Sequence, residues 1–448
     1  MDIILIMKIA FLPIDNRPVC YTMPKIIAGI DSDIEFYIPE RKFLGGLTKT
    51  ADKNALLVWL EKLPKVDAIV LSLDTLVYGG LIPSRRGSET LGELEAKLDK
   101  IKVILKSKEA KIYAVSSIMR ISNNNFNEEE KDYWSEYGKK IFKYSYELHK
   151  NGVAETDVPK EIIEDYLSTR KRNFEINKRY IEWQKEGIFE TLVFSKDDCA
   201  SYGLNVQEAE ELQKLGGFTK TGADEIPLSL LSRAIDKKLK ICPIYTEPTC
   251  TDLISNYEDV SISKSVNGQI ELAGCEVSNY EEADLILYVN NFKVNQGEIV
   301  MKQTTEAFCG DFKFPQKPFM IADVRFANGA DNNFVNSMFK NELNNDIFYG
   351  YSAWNTSANT LGSLICGAKF KFCAKKFNKL NFDKLQITRF LDDWGYQANV
   401  RQQLSSPDSK ISKLMEPYEE KLEIFLNKKI DVRYSFPWNR LFEVEVWV

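Results

Sequence analysis

Carboxylates and arginines set at a few places along the chain are the residues best suited to chemistry, and the sharpest of these is the adjacent pair Asp197-Asp198. At a strand end, neighbouring side chains point to opposite faces, so one carboxylate can face a cavity while the other meets a loop. Two acids held close push their pKa values apart, which leaves one protonated as a general acid. Glycoside hydrolysis uses such a pair. In substrate-assisted variants one acid orients the acetamido group of the substrate and the other protonates the leaving oxygen. Around the pair stand Asp15 and Arg17, Asp74 and Arg85, Arg120, Asp323 and Arg325, and then Trp354 and Asn355. The charged side chains would hold hydroxyls or an anionic group, and the indole and amide would serve as a platform for a sugar. The competing explanation makes each acid a helix cap or a loop ion pair, which suits any single Asp better than the whole set. Asp224-Glu225 read first as a helix cap, and Glu247 closes a strand as a further candidate.

Several chemistries lack their residues. His149 is the one histidine; in YELHKNG it reads as a solvent-exposed residue at a helix end. Ser-His-Asp, Cys-His and histidine-rich zinc sites are therefore not expected. Neither G-x-x-x-x-G-K-[ST] nor G-x-G-x-x-G occurs, so nucleotide and dinucleotide cofactors have no fingerprint. No cofactor is expected on the leading reading. The alternative is an Mg²⁺ or Mn²⁺ site with oxygen ligands from Asp15, Asp74 and Asp323, where Arg17, Arg85, Arg120 and Arg325 clamp an anionic or phosphorylated small molecule.

Positioning these residues requires strands that end where they begin. Apolar β-rich runs occur at Lys8–Pro13, Ile34–Ile38, Ala68–Leu73, Ile112–Ser117, Thr191–Ser195, Ile241–Thr246, Leu285–Asn290, Phe319–Asp323 and Ile347–Ser352. Several are apolar on both faces, as in a parallel sheet covered by helices. Helical patterns such as Lys53–Leu63 and Leu91–Lys106 alternate with them, which means a parallel α/β architecture. In such folds the ligand site lies at the carboxyl ends of the strands, where the acids and arginines fall. The expected fold is a (β/α)8-type barrel over residues 1–375, with a sub-boundary near 235. A helical, aromatic-rich insertion at 118–190 packs its own core, and residues 376–448 form a helical and β extension. Two doubly wound, Rossmann-like domains are the alternative. The basic run Arg170-Lys171-Arg172 reads as a solvated helix face.

The bulk composition agrees with a globular enzyme. The chain has 448 residues, 44% hydrophobic and 28% charged, with a net charge of -6. That size needs a large barrel or more than one domain. A modest, dispersed negative charge gives no reason to expect nucleic acid as a partner. The eight cysteines lack C-x-x-C spacing and read as reduced thiols rather than a disulfide or zinc framework. The N-terminal MDIILIMKIAFLPID reads as a core strand rather than a leader, and no run has the length of a membrane span, so the cytoplasm is expected and a membrane partner is not. No internal repeat is evident, and nothing bears on oligomeric state.

A set of collinear motifs carries a resemblance: PIDNRPV, LSLDTLVYGGLIPSR, RKRNFEIN, SKDDCASYG, TGADE, DVRFANGAD, AWNTSANTLG and DDWGYQANVR. Together they resemble the bacterial family known as domain of unknown function 4127, from about residue 8 to 405. The resemblance implies a shared scaffold and brings no activity with it. From the residues themselves, the expectation is a sugar-processing, glycoside-hydrolase-like enzyme with a small-molecule, carbohydrate substrate. Asp197 and Asp198 would be catalytic, with Asp15, Arg17, Asp74, Arg85, Arg120, Asp323, Arg325, Trp354 and Asn355 binding substrate. The rivals are the metal-dependent enzyme above and a non-catalytic small-molecule binder.

Overall fold

In a computed structural model, which describes residues 6–197 and 199–448, the chain forms two compact units. The first comprises residues 6–21, Glu35–Leu230 and Tyr257–Asp259; the second comprises Thr22–Ile34, Leu231–Asn256 and Val260–Val448.

The first unit is built on strands β1 (Met7–Leu12), β2 (Ile34–Tyr37), β3 (Ala68–Ser72), β4 (Lys111–Ile118), β5 (Thr191–Lys196) and β6 (Phe218–Thr221), hydrogen-bonded in the order β2-β1-β3-β4-β5-β6. The pairings β1–β3, β3–β4, β4–β5 and β5–β6 are parallel. Every residue of β3 is buried, so AIVLS has an apolar environment on both faces. Alternate residues Ala10 and Leu12, Ile69 and Leu71, Ile112 and Ala114, Leu192 and Phe194 share one core. Helix Leu91–Lys106 lays Leu94, Leu98, Ile101 and Leu105 into it at helical spacing and begins in a Thr90–Glu93 capping box. The aromatic stretch after β4 forms helices Trp134–Asn151 and Lys160–Lys185. Trp134, Ile141, Ile163 and Tyr166 make a separate small core there.

The second unit carries β7 (Lys240–Tyr245), β8 (Glu276–Val277), β9 (Leu285–Asn290), β10 (Gly297–Glu298), β11 (Phe319–Asp323), β12 (Phe326–Ala327) and β13 (Phe348–Ser352). Five of them form a parallel sheet in the order β13-β11-β9-β7-β8, and β10 pairs with β12. Helices Ile262–Leu272 and Ser357–Cys373 bury Val266, Ile270, Leu361 and Ile365 against Ile241, Leu287, Val289 and Met320. The chain continues through helix Lys379–Arg389 into a π-helical stretch, Phe390–Val400, and ends in helix Ile411–Leu426 and an antiparallel pair, β14 (Arg433–Ser435) and β15 (Glu445–Trp447).

The mainly parallel α/β architecture is as expected, but the strands pair into two main parallel sheets and two small two-stranded ones, and not into one (β/α)8 barrel. Burial of a strand on both faces is common to a barrel and to a covered sheet, so the apolar runs could not separate the two. Read in chain order, both sheets share one pattern: second strand, first, third, fourth, fifth, with β6 added at the edge of the first. That edge strand, FTKT, is mostly polar and partly exposed, which hides it from a hydrophobicity reading. Among the described residues, no helix is long and apolar enough to cross a membrane. All eight cysteines are free thiols, with Cys20, Cys242, Cys275 and Cys366 buried.

Leu71 lies at the centre of the first core and is fully buried. Leu71→Ala should cost about 2–5 kcal/mol in urea denaturation. A loss below about 1 kcal/mol would contradict the central place of β3 in that core.

Candidate functional site

In the first sheet the chain leaves β1 to one side for β2 and returns on the other side as β3. In open α/β sheets this reversal opens a crevice at the carboxyl ends of the two strands. Asp15 and Arg17 follow β1 directly, and Asp74 follows β3. The Thr75 hydroxyl donates to the Pro13 and Ile14 carbonyls at 2.8 Å, tying the two ends together.

Arg17 lies between two carboxylates. Its Nε donates to Asp15 at 2.8 Å, and Nη1 and Nη2 donate to the two oxygens of Asp224 at 3.0 and 2.5 Å. All three side chains are buried. Burial raises the Asp15 pKa, the Arg17 charge opposes that shift, and the charge of Asp224 adds to it. Asp224 therefore ends in a bidentate ion pair rather than a simple helix cap. Its neighbour Glu225 is pushed up to about 8 by burial, helped by the charges of Asp224 and Glu258.

Asp74 sits in the short helix Leu73–Val77, whose N-cap is Ser72. Its carboxylate accepts the Ser117 N–H at 2.7 Å, and burial lifts its pKa to about 7 against that hydrogen bond. The backbone then turns sharply: the N–H groups of Tyr78, Gly79 and Gly80 all donate to the Asp74 carbonyl. Gly79 has φ +90°, and a Cβ there would lie 2.2 Å from Thr50 Cγ2, so only glycine fits. The turn delivers helix Leu81–Arg86 and, on it, Arg85.

Arg85 and Arg120 converge on one acid. Arg85 Nη1 donates to Glu130 at 2.9 Å and Arg120 Nε donates to the same oxygen at 2.8 Å. Arg120 also pairs with Glu129 at 3.0 Å and with Asp197 at 3.4 Å. Arg85, Ser117, Arg120, Ser195 and Asp197 line a small cavity with about 10 Å³ of room, enough for about one water molecule. The RKRNFEIN segment holds these parts in place. Arg172 and Asn173 donate to the Ser84 carbonyl at 2.7 and 2.9 Å, Asn177 donates to the Ser117 carbonyl at 3.0 Å, and Arg170 donates to the Met119 carbonyl at 2.8 Å. Arg170 and Arg172 are buried, which corrects the reading of that basic run as a solvated face; Lys171 alone is exposed. His149 is likewise not free in solvent: its Nδ1 accepts the Gly203 N–H at 3.1 Å and its ring meets Tyr202 edge-on.

The second sheet has its own polar cluster at carboxyl ends. Arg325 is fully buried and every guanidinium nitrogen is bonded: to Asn290, to the Glu306 carbonyl, and to Thr246 and Glu247, the last at 2.7 Å. Asp323 accepts from Asn290, the Asp331 N–H and the Tyr351 hydroxyl; burial and the Asp331 charge raise its pKa to about 7. Trp354 is 2% exposed and has the Arg389 guanidinium 5.9 Å from its ring, so its face is not open for stacking. The Asn355 side chain, on backbone with φ +59°, bonds Asn328 and Asn359. Asp392 and Asp393 lie on the π-helical stretch and were missed among the candidate residues, although their DDW motif was visible. Asp393 accepts the Ala353 N–H at 2.7 Å, and burial lifts both pKa values, to about 7 and about 6.

The structure thus gathers Asp15 with Arg17, and Arg85 with Arg120 and Asp197, in the first unit. Asp323, Arg325, Trp354 and Asn355 belong to the second unit, and Asp198 lies outside the described residues. Glu129 and Glu130 were missed because an acidic run reads as solvated. Among the described residues, no group of three or more His, Cys, Asp or Glu is arranged to hold a metal ion. The acids considered as Mg²⁺ or Mn²⁺ ligands are committed elsewhere: Asp15 to Arg17, Asp74 to Ser117, and Asp323 to Asn290, Asp331 and Tyr351.

Removing the central cation of the first cluster leaves two buried carboxylates facing each other. Arg17→Gln should cost about 3–5 kcal/mol at neutral pH in urea denaturation. The loss should shrink as pH falls and the buried Asp15 carboxylate takes up a proton; a loss that does not depend on pH would refute the charge account.

No curated protein and no solved structure matches the chain. A family model, described as "Protein of unknown function (DUF4127)", matches residues 9–447, which extends the likeness beyond the quoted motifs to the C-terminal strand. The chain belongs to the DUF4127 family.

Proposed function

We propose that the first unit is an acid–base enzyme acting on a small hydroxyl-rich molecule, of the glycoside-hydrolase type. One observation carries this reading: one carboxyl lines a cavity in an ion pair, and a second, buried and raised in pKa, is hydrogen-bonded to another residue of the same lining. Asp197 lines the cavity and is ion-paired with Arg120. Asp74 is buried with a pKa of about 7, and its carboxyl accepts the backbone N–H of Ser117, a cavity-lining residue. A carboxyl lifted toward neutrality suits the acid role, and its neighbour at the cavity can take the base role. Asp74 would supply a proton through the Ser117 hydroxyl, and Asp197 would act as base or nucleophile. The cavity lies at the carboxyl ends of β4 and β5, the end of a parallel sheet at which such folds bind ligands. Asp198 remains the partner suggested by the sequence.

The test is turnover on a panel of neutral, N-acetylated and acidic aryl glycosides. Asp74→Asn and Asp197→Asn should each lower kcat roughly 100-fold or more. Protonated Asp74 is the active form, so wild-type activity should fall as pH rises through about 7, and residual activity of Asp74→Asn should lack that limb. Full turnover by both variants on a confirmed substrate would end this reading. Saturable binding without turnover would make the protein a binder.

A further inference from the structure

We infer that the cavity beside Arg85 is an oxyanion subsite, so that the substrate carries a carboxylate, phosphate or sulfate group. The inference rests on the reading of this cavity as the substrate site. Arg85 is 2% exposed and spends one nitrogen, Nη1, on Glu130. Among the described residues, its Nε and Nη2 are buried and have no hydrogen-bond partner. Nη2 lies 3.7 Å from Glu129, close enough for ion pairing and too far for a hydrogen bond. These two nitrogens are one edge of the guanidinium, the fork that binds two oxygens of a carboxylate or phosphate side by side.

Leaving two donors of a buried cation unmet is costly, and natural structures seldom do so without an unrecorded partner. The remaining polar lining adds to the case: Ser117 and Ser195 bring hydroxyls, and Arg120 brings positive charge. The room present, about 10 Å³, takes a single oxygen, so an anion would enter by one oxygen and widen the site as it seats. Charge sets a condition on this entry. Among the described residues, Glu129, Glu130 and Asp197 oppose Arg85 and Arg120, so an incoming oxyanion meets nearby carboxylates as well as the two arginines. Removing one of those negative charges should tighten binding, which a purely structural Arg85 would not do.

The experiment is isothermal titration of the full chain with D-glucuronate, inorganic phosphate and sulfate, against D-glucose as the neutral control. Wild type should bind at least one oxyanion roughly tenfold or more tighter than glucose. Which anion binds separates a carboxylate from a phosphate or sulfate substrate. Arg85→Lys keeps the charge and loses the fork, and should remove the preference. Glu129→Gln, at a partly exposed position, should strengthen oxyanion binding several-fold and leave glucose unchanged. Equal binding of oxyanions and glucose by wild type would overturn the inference, because the edge would then hold only water. So would an unchanged or weakened oxyanion affinity in Glu129→Gln, a result that stands even if Arg85→Lys does not fold. Binding is read here without turnover. Inactive Asp74→Asn alongside absent oxyanion selectivity would therefore sink the subsite alone, whereas oxyanion selectivity alongside fully active Asp74→Asn would sink the acid–base reading alone.

Discussion

A parallel sheet buried on both faces has nowhere to place charge except at the ends of its strands, and both units of this protein obey that constraint. β3 has no exposed residue, and β4 has one, at its first position. Several buried charged groups near these strands lie past their carboxyl ends, where backbone N–H groups and following helices meet them. Arg17, Arg85, Arg120 and Arg325 all occur there. Each faces an acid, because a buried guanidinium without a counter-charge would cost several kcal/mol. The pairings follow from the burial.

Burial also explains why the acids split into two kinds. Those that face an arginine squarely, as Asp224 does, sit in bidentate ion pairs. Those that receive mainly N–H or hydroxyl donors, such as Asp74 and Asp323, are lifted to about 7 because desolvation exceeds what those donors return. Such groups change charge near neutrality. The sheet ends therefore contain proton-exchanging carboxyls in a chain with a single histidine. The raised group is stabilising only while protonated, so its contribution declines as pH climbs from its unfolded value toward about 7.

Much of this was legible in the sequence, and the gaps have physical causes. The strands and their terminal acids could be read because apolar runs ending in Asp or Arg are local patterns. The choice between a barrel and two sheets was not readable, since strand burial is alike in both. Partners were beyond reach: Arg17 and Asp224 are 207 residues apart, and nothing local marks them as a pair. Arg170 and Arg172 looked solvated because periodicity does not reveal that carbonyls of neighbouring loops lie in wait for them. Glu129 and Glu130 were lost in an acidic run for the same reason. Trp354 and Asn355 ended a strand as expected, yet the indole is covered and the amide is already bonded.

The connectivity of the second unit has a consequence for synthesis. Its segment Thr22–Ile34 is made early, yet its bonds are to residues made very late: Asp31 accepts the N–H groups of Lys375 and Lys376, and the Gly29 carbonyl accepts from Asn381. At roughly 5–20 residues per second on the ribosome, that interval amounts to about 20–70 s. During this time those late-made partners of the segment do not yet exist. Ordered assembly of this chain is thus a matter of waiting as well as of packing. A break at the midpoint of the gene would yield no fragment containing the whole of the second unit.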